Sequence, residues 1–168
     1  MADTLTTDVS FALRWSFVAG LNLGNVIDSN RLSYSETLAN GSGSSQAQKV
    51  WHDERTLAAG ATETLDLNAL TNSAFGGTVT VNFSTVKFLA IVVTTASTGY
   101  LQIGGAASNE WYAPFAAAGD KVKVGPDSLL VLSEKVSGWT VTNGSADSLK
   151  IDNPSAVSVT YRIVIVGT

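Results

Sequence analysis

The sequence predicts an all-β protein, an antiparallel two-sheet β-sandwich, jelly-roll-like in its winding. Three observations point there. Val and Thr number 18 each, and Ser and Thr together 37, in a chain of 168 residues. Such β-branched side chains fit a pleated, half-buried surface. Apolar and polar residues alternate along most of the chain, which is the period of a strand with one covered face. No segment sustains helical spacing, and turn signals recur at intervals of roughly 8–12 residues, too short for helical crossovers, so pairing is antiparallel.

Each element follows from its own pattern. Val9, Phe11, Leu13, Trp15 and Phe17 alternate with Ser10, Ala12, Arg14 and Ser16, a half-buried strand; Leu32, Tyr34 and Leu38 mark a weaker second one. Residues 40–45, Asn-Gly-Ser-Gly-Ser-Ser, form a flexible loop. The chain therefore divides into an N-terminal arm or strand segment, 1–44, and a β-sandwich domain, 45–168. The arm completes the sandwich or pairs with a neighbouring subunit. Residues 49–57 and 62–67 flank an Ala-Ala-Gly-Ala turn and read as a hairpin. Residues 68–77 are irregular, and 78–83 carry Val79, Val81 and Phe83 on one face. Residues 86–94 are apolar on both faces and belong centrally in a sheet covered on both sides. After a turn at 97–99 come a short strand at 100–103, a long loop at 106–120, strands near 121–124, 129–133, 139–142 and 148–152, and a final strand bearing Val157, Val159, Tyr161, Ile163 and Ile165.

Composition removes several functions. Charged residues are 14% of the chain and the net charge is −4, so direct nucleic-acid binding through phosphate neutralisation is not expected. There is no Cys, hence no thiolate metal site and no Cys nucleophile. The first eight residues lack the basic and apolar regions of a signal peptide, and the longest apolar run, 88–93, is far short of a membrane helix. A soluble protein with no membrane contact is expected.

The search for chemistry ends without a site. His52 is the single histidine. It shares a strand face with Glu54, while Asp53 and Arg55 share the other. Zinc needs three or four ligands, so a polar strand face with Asp53–Arg55 and His52–Glu54 contacts is the reading. The carboxylates Glu63 with Asp66, and Asp147 with Asp152, flank predicted strands and read as solvated, although a glycosidase also uses two facing carboxyls. No nucleophile elbow, P-loop or calcium loop occurs. Catalytic residues, metal ligands and cofactors are therefore none, and the protein is not expected to be an enzyme. Trp15, Trp51 and Trp139 lie on strands and read as core. Trp111, Tyr112 and Phe115 cluster in the long loop. They either stack on a sugar or anchor a protein interface, or fold back as a lid. With Leu5 of the arm they are the candidate partner contacts.

Several stretches carry a resemblance. They are His52–Leu67 (HDERTLAAGATETLDL), Val86–Val93 (VKFLAIVV), Ile103–Asn109 (IGGAASN), Val122–Leu130 (VKVGPDSLL), Gly138–Lys150 (GWTVTNGSADSLK) and Tyr161–Gly167 (YRIVIVG). In style and order they resemble small accessory virion structural proteins of tailed phages, of the capsid cement or decoration kind. The resemblance implies a virion protein on the capsid surface that binds the major capsid protein or other virion proteins, forms a homo-oligomer and stabilises the particle. It brings no defined site residue. The alternative is a tail, baseplate or fibre module recognising a host glycan or another virion protein.

Overall fold

In chain order the strands are β1 (Thr7–Leu21), β2 (Gly24–Asn40), β3 (Gln46–Ala47), β4 (Lys49–Leu57), β5 (Thr62–Asp66), β6 (Leu70–Ala74), β7 (Gly77–Val81), β8 (Thr85–Val93), β9 (Leu101–Gly104), β10 (Lys121–Val124), β11 (Leu129–Ser133), β12 (Trp139–Thr140), β13 (Ser148–Asp152) and β14 (Val159–Gly167). This computed structural model describes residues 4–74, 77–94 and 98–168; among them there is no helix. The turn expected at 97–99 lies partly outside the described residues.

Two antiparallel sheets pack face to face. One runs β11-β8-β14-β4, with β12 also paired to β8; the other runs β10-β9-β13-β5. Alternation decides what lies between them. Val159, Tyr161, Ile163 and Ile165 of β14 and Leu89, Ile91 and Val93 of β8 point inward from the first sheet. Leu65, Leu101, Ile103, Leu149 and Ile151 meet them from the second. The all-β sandwich expected from the pattern is the fold observed. As expected, β8 is central, but its outer face is covered only in part, with Phe88 and Ala90 half-buried and Val92 38% exposed. Its outer residue Phe88 packs with Leu5, Leu38, Ala47, Val164 and Val166 in a separate small cluster.

Residues 49–57 and 62–67 are not a hairpin. β4 pairs with β14, and β5 with β13 on the opposite sheet. The reason lies in the corner between them. Gly60 takes a positive φ of 70°, and the buried Asn153 donates its side-chain amide to the carbonyls of Leu57, Ala58 and Val157. The corner's polar groups are thus satisfied by Asn153, and the chain crosses to the other sheet. Residues 68–77, expected to be irregular, contain β6, which pairs with β7. A second tie crosses the sheets: Tyr161 donates its hydroxyl to Glu63, which also holds Arg55 at 2.6 Å. Burial, and then the Glu63 carboxylate, push the Tyr161 phenol far above its ordinary value. It stays protonated and remains a donor.

Candidate interaction surface

The N-terminal segment joins neither sheet of the sandwich. β1 and β2 pair residue for residue from Thr7↔Leu38 to Leu21↔Gly24, turning at residues 22 and 23. The result is one long hairpin arm. Its strands have 15 and 17 residues, against at most 9 in the sandwich. At about 3.3 Å per residue each arm strand is roughly 50 Å long.

The two faces of the arm differ in chemistry along most of its length. Phe11 faces Tyr34, Leu13 faces Leu32, and Ala19 faces Val26 on one side, with Trp15 and Phe17 between them. The opposite side pairs Ser10 with Ser35, Ala12 with Ser33, Arg14 with Arg31 and Ser16 with Ser29, and turns apolar towards the tip, where exposed Val18 faces Ile27. Beyond Phe11 and Tyr34, which face the sheet across a cleft, the apolar face has no covering layer among the described residues. Phe11 is 48% exposed, Leu13 51%, Trp15 41% and Phe17 65%. Its two acid or amide positions contribute little cover; Asp28 accepts a long 3.4 Å bond from the Trp15 indole. An isolated two-stranded ribbon is marginal in water, and contiguous apolar patches on a monomer rarely exceed roughly 300–600 Å².

Only the root of the arm is anchored. Leu38 is fully buried against Ala47 and Val166. Glu36 is buried and accepts hydrogen bonds from Tyr34 (2.6 Å) and from Ser133 of β11. The bond from Tyr34 to Glu36 raises that phenol above its ordinary value and keeps it a donor. β3 runs parallel to the end of β2 at Ala39 and Asn40. The loop at 40–45 is tied by hydrogen bonds within itself and to the sandwich. Gln46 accepts from the Gly43 amide at 2.8 Å, Ser45 donates its amide to Lys135, and Gly41 donates to Ala47. Gly41 takes a φ of 142°, which side-chain-bearing residues rarely adopt, so the glycine permits this closed turn. Just above the root, Val9, Phe11 and Tyr34 face Phe88, Leu129 and Val131 of the sheet across an almost wholly apolar cleft of about 380 Å³.

The expected contacts divide. Leu5 is half-buried at the arm root, its amide donating to Asn40. Trp111 is a correction: it is 1% exposed, donates its indole N–H to the Thr140 carbonyl at 3.0 Å, and meets Trp139 edge-on at 6.3 Å. That ring belongs to the core and is not available to a partner. Phe115 is half-buried against the same core, and Tyr112 alone of the three is exposed, at 47%. Trp15, expected in the core, lies on the open face of the arm.

The titratable candidates have structural partners. Glu54 pairs with Arg162 at 2.6 Å, not with His52, while Arg55 meets Asp53 at 3.1 Å as expected. Asp147 is buried and accepts from the Gly144 amide, and Asp152 accepts from Thr62. His52, Asp53, Arg55, Thr71, Asn72 and Ser73 line a polar cleft of about 540 Å³. Among the described residues no three of His, Cys, Asp and Glu come together as a metal site would require. Among the described residues no helix is long and apolar enough to cross a membrane. Neither the protein-family models nor the curated proteins contain a match to this chain.

Proposed function

We propose that this chain is a non-enzymatic virion structural protein of a tailed phage, of the cement or decoration kind, which covers the capsid shell and uses the N-terminal hairpin as its assembly element. The observation that carries the reading is the arm: a long ribbon held at its root, presenting an apolar face that the described residues of the protomer leave open beyond Phe11 and Tyr34. A structural protein has a use for such a face; a free monomer does not. The polar side fits a protein partner too. Arg14 and Arg31 lie directly opposite one another, a destabilising pairing, and neither takes part in an ion pair among the described residues. An acidic group from a shell protein set between them relieves that repulsion. The strand orders β11-β8-β14-β4 and β10-β9-β13-β5, with chain crossings between sheets, support the narrower reading of the sandwich as a jelly roll.

The alternative, a tail or fibre module that binds a glycan, draws on the exposed Tyr112 and the polar cleft around His52. Copy number separates the two. Mass spectrometry of purified virions should give a ratio to the major capsid protein near one or a simple fraction of it. A handful of copies favours the tail reading, and absence from the particle refutes both.

A further inference from the structure

We infer that the tip of the arm is a lipid-binding element, which inserts shallowly into a bilayer surface carrying anionic phosphates. The inference concerns the tip and not the shaft, and it does not rest on a virion role.

The tip differs from the shaft below it. Residues 15–27 carry no charge. Near the turn apolar side chains surround the ribbon instead of keeping to one face: Val18 faces Ile27 on one side, and Ala19 faces Val26 on the other. Val18, Leu21, Val26 and Ile27 are each more than half exposed, and Leu23, in the turn itself, is fully exposed. A protein lying along one face of the ribbon would leave the other face in water. A lipid surface encloses whatever enters it from every side, so it covers both faces and the turn together.

The charges are placed for the same occupant. Arg14 and Arg31 lie on the face that carries Val18 and Ile27, four residues behind them, or about 13 Å. Both are exposed, and neither forms an ion pair among the described residues. A ribbon leaning on this face sets Val18, Ile27 and Leu23 into the membrane and both guanidiniums against lipid phosphates, which relieve their mutual repulsion. In an assembled particle a protein carboxylate takes that place. Asp28, the nearest acid, is the register partner of Phe17 and so lies on the opposite face. The backbone limits the depth. The edges of a two-stranded ribbon expose N–H and C=O groups that hydrocarbon cannot satisfy. Insertion therefore stops about 5–10 Å down, at the boundary of head groups and acyl chains, where water still reaches the edges. The tip is about 13 Å long from the Val18–Ile27 pair to the turn, so this depth takes in no charged residue. The expectation of no membrane contact rests on the lack of an apolar run long enough to span a bilayer; a hairpin tip needs none.

The test is flotation of the intact chain with phosphatidylcholine vesicles made with and without phosphatidylglycerol. The parent should float with the anionic vesicles at millimolar lipid. Leu21→Asp/Leu23→Asp, checked for an unchanged strand spectrum and unfolding midpoint, should bind at least about 10-fold more weakly, because each buried leucine is worth that much or more. Arg14→Gln/Arg31→Gln should lose about 10-fold on anionic vesicles and little on neutral ones. In the Leu23→Trp variant, lipids brominated along the acyl chains should quench an added component of the fluorescence that the parent lacks. A parent that does not float overturns the inference. So does binding that survives Leu21→Asp/Leu23→Asp, which would mean adhesion by charge alone, and so does an unquenched Leu23→Trp variant. None of these results bears on the copy number in virions, which tests the structural reading separately.

Discussion

The sandwich and the arm are written in the same alternating pattern and end in opposite environments. On β14, Tyr161, Ile163 and Ile165 are fully buried. On β1, Phe11, Leu13, Trp15 and Phe17 follow the same period and stand 41–65% exposed. Both strands have a face that favours leaving water, at roughly 25 cal/mol per Å² of apolar surface. The sandwich has an opposing sheet within the protomer to supply the cover, and the arm does not. Period two therefore identifies a face that needs a partner without saying whose surface the partner is.

That contrast can be probed from the strongest expected effect downward. Ile163→Ala leaves a cavity between two packed sheets and should cost about 4 kcal/mol in urea unfolding. A loss comparable to a surface substitution would mean that the sheets are not packed as described. Asn153→Ala removes the donor to three carbonyls at the sheet-crossing corner, and the stranded acceptors should cost about 3 kcal/mol by the same assay. Tyr161→Phe keeps the ring but removes the bond to Glu63, and should cost about 1.5 kcal/mol at neutral pH. The phenol holds its proton more tightly folded than unfolded. Its contribution is therefore complete below the ordinary tyrosine value of about 10 and is lost as pH rises above it. Stability of the parent should fall over that alkaline range, and Tyr161→Phe should flatten the decline. Leu13→Ala on the arm, measured on dissociated protomer, should change unfolding by less than about 0.5 kcal/mol; a core-sized loss would show that the arm is covered within the protomer after all.

Much of the sandwich could be read from residue pattern, and the reasons for the exceptions are physical. The inward sets on β8, β13 and β14 follow directly from alternation. The corner at residues 58–61 resembles a hairpin turn because local composition describes the bend and not the destination. Asn153, almost a hundred residues away, decides that the chain changes sheets. The second arm strand looked weak because Asn30 and Asp28 occupy the positions opposite Trp15 and Phe17, breaking the apolar row of β2 where β1 supplies the rings. Trp15 and Trp51 are indistinguishable by period. Trp51 is buried, with its indole donating to the Thr71 carbonyl, and Trp15 faces outward because no element crosses over it. For Trp111 a loop position leaves both an outward contact and a fold-back open, and its indole finds the Thr140 carbonyl and the Trp139 ring inside. The interaction surface carried a readable signal in the length and apolar row of 9–17, but its openness depends on what the rest of the fold leaves uncovered.

The most direct test of the central claim measures one variant in two ways. Phe17→Asp/Leu32→Asp should keep the parent's unfolding midpoint when both are measured at a dilution where the parent is also a free protomer, and should fail to enter particles when it replaces the parent during phage growth. A lowered midpoint would make the arm part of the fold, and normal incorporation would remove it from assembly; either result contradicts the account.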